Sequence, residues 1–131
     1  MSGERDLGRL LAGLDPQLAP EPYVFAVAAE VPAGLRPFAT VEEDEGLTLV
    51  LPRADADRAG LAYDYVAARI TLRVHSDPAA VGMTAAFSRA LADAGLSCNV
   101  IAGFFHDHLL VPWERAHQAV ALLRALGGKR G

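Results

Sequence analysis

A single cysteine, Cys98, stands among the 131 residues. No internal disulfide can form, which matches a reducing cytoplasm. Basic runs are missing too. The formal net charge is −4 and no Lys/Arg cluster lines a face, so the electrostatic footprint of a nucleic-acid binder is absent. No apolar run approaches the roughly 18–20 residues that cross a bilayer, and the opening MSGERDLGRLLAGL carries charges where a signal peptide needs an apolar core. These gaps point to a cytoplasmic protein with neither nucleic acid nor membrane as partner. There is also no Gly-x-Gly-x-x-Gly, Walker loop, nucleophile elbow or acid–base carboxylate pair. Nothing reads as an enzyme, and no cofactor is implied.

What is present is apolar matter enough for a core: 52% hydrophobic against 21% charged residues, with disorder expected only at the ends. A unit of half this length buries too little surface to stand comfortably alone. Two halves, 1–64 and 65–131, are therefore expected to lean on each other.

Leu7, Leu10, Leu11 and Leu14 recur at three- and four-residue spacing and predict a helix over 6–14, ended by Asp15-Pro16. After a proline-rich stretch, the aromatic and β-branched run 23–29 predicts a central strand. Strands at 38–42 and 47–51 flank Glu43-Asp44-Glu45-Gly46 as a hairpin, its acidic turn solvated and lacking the ligand spacing of a calcium loop. Pro52 opens a short helix, 53–59, that Gly60 ends.

The stretch 70–113 organises the rest. Ile70, Leu72 and Val74 alternate with Thr71 and Arg73 as a strand. Ser76 or Asp77 caps a helix with Pro78 in its first turn, Val81, Thr84, Phe87 and Leu91 line one face, and Gly95 stops it. A strand over 96–104, a turn at His106-Asp107, a returning strand 108–111 and a helix from Pro112-Trp113 complete the unit. It is one strand short of a βαββαβ layer, and the first half is expected to lend that strand. An internal echo, Leu49-Val50-Leu51-Pro52-Arg53-Ala54-Asp55-Ala56 against Leu109-Leu110-Val111-Pro112-Trp113-Glu114-Arg115-Ala116, suggests duplication.

The run from Val74 and His75 through Asp77 and Gly82 to Ala94-Gly95-Leu96-Ser97 resembles the ACT domain, a small regulatory ligand-binding module. The segments Glu45–Leu51, Ala80–Ala86 and Ser97–His108 resemble a bacterial group of short two-ACT-domain proteins, and the likeness covers most of the chain. It implies an α+β fold of two ferredoxin-like (βαββαβ) halves, with antiparallel sheets and helices on one face. It also implies a non-catalytic regulatory role, binding an amino acid or similar metabolite at a domain or subunit interface, and a homodimer or higher homo-oligomer. The first half departs from the pattern: its helix precedes its first strand, and a Gly/Pro loop stands where an ACT helix would lie. In the second half the helix start Asp77-Pro78-Ala79-Ala80-Val81-Gly82 is longer than usual.

The resemblance places the ligand at the loop between the first strand and helix of the second half, with His75, Ser76, Asp77, Val81, Gly82, Met83, Thr84 and Asn99 as candidate contacts. Free N–H groups at a helix start suit a carboxylate, and Asp77 or Asn99 could accept from an ammonium. Plain capping by Ser76 or Asp77 is the competing account of those two residues. Gly82 inside a helix weakens it by about 0.5–1 kcal/mol relative to Ala, which close approach of backbone or ligand would explain. His106, Asp107 and His108 form the one cluster that could be drawn around a metal, but no Cys pair or His-x-x-x-His supports it, and no metal is assigned. The alternative to ligand binding is an interaction module that pairs through its sheet edges.

Overall fold

The computed structural model describes residues 6–73 and 82–127. Seven strands form one antiparallel sheet: β1 (Asp15–Leu18), β2 (Tyr23–Ala28), β3 (Ala39–Glu43), β4 (Gly46–Pro52), β5 (Val66–Arg73), β6 (Asn99–Ala102) and β7 (Asp107–Pro112). Their order across the sheet is β3-β4-β2-β5-β7-β6, with β1 also on β5. The helices are α1 (Leu7–Ala12), α2 (Arg53–Ala59), α3 (Met83–Asp93) and α4 (Ala116–Gly127), the last entered through a 3₁₀ turn, Trp113–Arg115.

β5 joins the halves. On one side it pairs with β7 from Ala67↔Pro112 to Leu72↔Asp107. On the other it meets two strands end to end, β2 at Tyr23↔Ala67 and Val24↔Val66, then β1 from Leu18↔Ile70 to Asp15↔Arg73. The lent strand is thus β1, which the proline content hides in the sequence. Pro16 lacks the N–H a two-sided ladder would need, but among the described residues β1 pairs only with β5, and proline is tolerated in such an edge strand.

Strand alternation sends even-numbered residues of β5 to one face and odd ones to the other. On the even face Ala68, Ile70, Leu72, Leu109 and Val111 pack with Leu10 of α1, Met83, Phe87 and Leu91 of α3, and Ala119, Val120 and Leu123 of α4. α2 covers the neighbouring Val24, Ala26, Leu49 and Leu51 through Ala56. The helices of the described residues therefore lie on one face, as expected of two ferredoxin-like halves. α1 is first in the chain, yet it is packed in the core of the second half. Gly127 fits against it so tightly that an added Cβ would stand 2.4 Å from the Leu11 carbonyl oxygen.

The echo between halves is structural. Pro52 (φ −57, ψ 140) and Pro112 (φ −56, ψ 131) each close a strand and release a helix at once. Residues 29–38 hold no helix, the departure expected of the first half.

The second hairpin differs from expectation. Gly103 N–H donates to the His106 carbonyl at 2.9 Å, so Phe104-Phe105 is the tip, and Asp107 already belongs to β7 opposite Leu72. Asp has the stronger local turn preference, but the ladder register decides.

Candidate functional site

Among the described residues no helix packs on the odd face of β5. Ala67, Arg69 and Thr71 point there, with Leu110 and His108 beside them on β7 by the registers Arg69↔Leu110 and Thr71↔His108. From the first half come Tyr23, opposite Ala67, and Phe38, whose N–H donates to the Val50 carbonyl at 2.8 Å. Tyr23, Val50, Ala67 and Leu110 are buried, packed with Phe38, Phe25, Tyr65 and Ile101.

Into this apolar setting β5 inserts a charge. The Arg69 guanidinium carbon lies 4.5 Å from the Phe38 ring centroid and 5.0 Å from that of Tyr23, within cation–π range. Its Nη1 donates to Thr71 Oγ1 at 3.2 Å, and Thr71 Oγ1 is 2.9 Å from His108 Nδ1. The His108 ring meets Phe38 edge to face, centroids 5.0 Å apart. Gly103 makes room for it, since a Cβ there would stand 3.3 Å from His108 Nε2 and 2.9 Å from the His106 carbonyl oxygen. Among the described residues, the buried side-chain nitrogens Arg69 Nε and His106 Nδ1 have no hydrogen-bond partner. Burial, then the Arg69 charge, then His106 hold the His108 pKa below its ordinary value, against a smaller upward pull from Asp107.

The residues singled out in the sequence are spread more widely. His75, Ser76, Asp77 and Val81 lie outside the described residues. Gly82 caps α3 at φ 99, a conformation few other residues adopt, and its open side faces Leu7 of α1: a Cβ would stand 3.3 Å from Leu7 Cδ2. The close approach at Gly82 is thus made by the protein's own first helix. Met83 is buried in the helix-side core, while Thr84 is exposed in the first turn of α3. Asn99 is exposed on β6 and pairs with Leu110, which directs it to the helix-free face, away from α3.

Asp107 shares the face of Leu72 and His108 that of Thr71, so the two point to opposite sides of the sheet. Among the described residues no group of three or more His, Cys, Asp or Glu is placed to hold a metal. Cys98 is half-buried at the rim of the main core, and burial pushes its thiol up to about 11. An open cleft of about 380 Å³ lies at the first hairpin, lined by Glu42, Glu43 and Asp44 among others. Its acidic wall is ill suited to a carboxylate.

Arg69, Thr71, Tyr23 and Phe38 are not among the sequence candidates. Their signal is an arginine within Ala67-Ala68-Arg69-Ile70-Thr71-Leu72, where a strand otherwise built for burial admits one charge.

Two family models, each described as an ACT domain, match the chain, one over residues 2–68 and one over 68–125. Among solved structures, a Vibrio cholerae protein of unknown function, described as a possible transport protein, is 44% identical with a TM-score of 0.85, over 93% of this chain and 96% of that one. An Agrobacterium tumefaciens protein is 20% identical with a TM-score of 0.71, over 87% and 89%. The ligand-free regulatory subunit of aspartate kinase from Thermus thermophilus is 9% identical with a TM-score of 0.63, over 88% and 99%. A comparison with curated proteins finds no match.

Proposed function

The chain belongs to the ACT-domain family, with two such domains in tandem, and on that premise we propose that it senses an amino acid or similar small metabolite without catalysing a reaction. The observation that carries the reading is that the two ACT matches meet at residue 68, inside β5, the strand on which the halves join. That seam supports a binding site at a domain or subunit interface. An aspartate kinase regulatory subunit with the same fold supports a regulatory role.

On this reading the units are 1–64 and 65–131 in chain order, and the ligand docks at the start of α3. His75, Ser76, Asp77, Val81, Gly82 and Thr84 are its contacts, Met83 contributes backbone only, and Asn99 reaches it from a second copy, because its side chain faces away from α3. The protein then works as a cytoplasmic homodimer or larger homo-oligomer. The test is a thermal melt of the full chain against each of the twenty amino acids. A ligand at a hundred times its Kd stabilises by about 2.7 kcal/mol, which raises the midpoint by several degrees. No shift at millimolar ligand overturns the reading.

One observation favours pairing through sheet edges instead. β6 is an outer strand, and beyond it Phe104 and Phe105 are 93% and 79% exposed with their rings in contact. A partner captured on this edge, with no thermal response to small molecules, would favour that account.

A further inference from the structure

Arg69 is a cation with no paired anion among the described residues. Among the described residues no salt bridge reaches it, and its compensation is two ring faces and one hydroxyl. A buried or half-buried guanidinium with unspent donors is costly, and a Met or Leu would fill the same space without that cost. Packing therefore does not account for an arginine at this position.

The hydrogen bonds fix the character of the group. Thr71 Oγ1 accepts from Arg69 Nη1, so its single proton is free to donate to His108 Nδ1. That assigns His108, from the network, as the neutral tautomer carrying its proton on Nε2. Arg69, Thr71 and His108 then form one chain running from cation to imidazole, whose remaining capacity is all donor. Aromatic walls from the first half, Tyr23 and Phe38, close over donors from the second, so the group exists only where the halves meet.

We propose that Arg69 and His108 hold the carboxylate of a small ligand on the helix-free face, in the seam between the two halves. One guanidinium beside a neutral imidazole supplies a single positive charge, which matches a monoanionic carboxylate better than a phosphate. The next cation on this face of β5, Arg73, stands opposite Asp15 and adds little. The site is separate from the start of α3, which lies on the other side of the sheet, and it does not rest on the function proposed for that loop.

The experiment is a side-chain ¹⁵N NMR titration of the full chain with sodium acetate, and then with each amino acid, using acetamide and sodium chloride at matched ionic strength as controls. Acetate is expected to move the Arg69 Nε–H and His108 ring signals saturably, acetamide and chloride not at all. Arg69→Gln should abolish the response, and His108→Gln, which keeps the cation, should weaken it about tenfold. If acetate and every amino acid leave both signals unmoved, the proposal is overturned, and Arg69 is then only a stacked structural residue. Tighter binding of inorganic phosphate than of acetate would overturn the carboxylate assignment. An amino acid that raises the melting point without touching Arg69 would support the loop at α3 and overturn this site. Acetate moving Arg69, with no amino acid shifting the melt, would support this site and overturn the loop at α3.

Discussion

The ring of Phe38 stands edge to face against that of His108, centroids 5.0 Å apart, and so links the first half to the second across the helix-free face. Phe38→Ala removes that link and lets water reach the imidazole. For a half-buried ring the expected loss is about 2 kcal/mol, read from urea unfolding. Because burial is the largest cause holding His108 below its ordinary value, its pKa should rise in the variant. An NMR pH titration reads this directly, and an unmoved pKa would contradict the cause assigned.

His108 also sets a pH dependence. In the unfolded chain it takes up a proton near its ordinary 6.5, but in the folded chain only at lower pH. Between those two values the unfolded state binds more protons, so stability rises with pH there. The contribution is complete above about 6.5 and is lost as pH falls toward the folded value. Urea midpoints measured from about pH 7.5 to 5 should show this slope, and His108→Gln should flatten it.

Leu10 of α1 is fully buried among Ile70, Phe87 and Leu123, residues of the second half. Leu10→Ala should cost about 2–5 kcal/mol. It should also lower the protection of α4 amides in hydrogen exchange, a readout at the far end of the chain. A loss under about 1 kcal/mol would mean that α1 is only loosely docked.

Gly127→Ala pits two effects against each other. Helix propensity favours alanine by about 1 kcal/mol in a helix interior and less at an end. Against it, the new methyl would stand 2.4 Å from the Leu11 carbonyl oxygen, and forced backbone movement costs about 1–3 kcal/mol. Net destabilisation in a urea melt is expected, and a stabilised variant would refute the tight contact.

Cys98, with its thiol pushed up to about 11, should react slowly in the folded chain. At pH 8 roughly one thiol in a thousand is then thiolate, against about a quarter for a free cysteine. Ellman's reagent at pH 8 should label the native chain far more slowly than the chain in urea.

Legibility follows locality. α2 is readable to the residue because Pro52 and Gly60 bracket it with local chemistry. β1 is not, since Asp15-Pro16 reads as a helix stop and becomes a strand only through Ile70–Arg73, more than fifty residues away. The hairpin tip escapes a local reading for a related cause: Asp107 favours turns on its own, while Phe104-Phe105 has no turn signal and is set there by the register of β6 on β7. The Arg69 cluster needs five residues from four separate segments, and no spacing rule gathers Tyr23, Phe38, Arg69, Thr71 and His108.

The packing of α1 against α4 sets when the protein can be made. Leu11 meets Gly127 across some hundred residues of chain, and α3 begins about seventy residues after α1, so α1 has neither helix to pack against until those long stretches have left the ribosome. Until then Leu10 and its neighbours remain exposed, and β1 waits for β5. Folding therefore waits on contacts far apart in the sequence, with a high loop-closure cost and a period of synthesis in which apolar surface is open to capture.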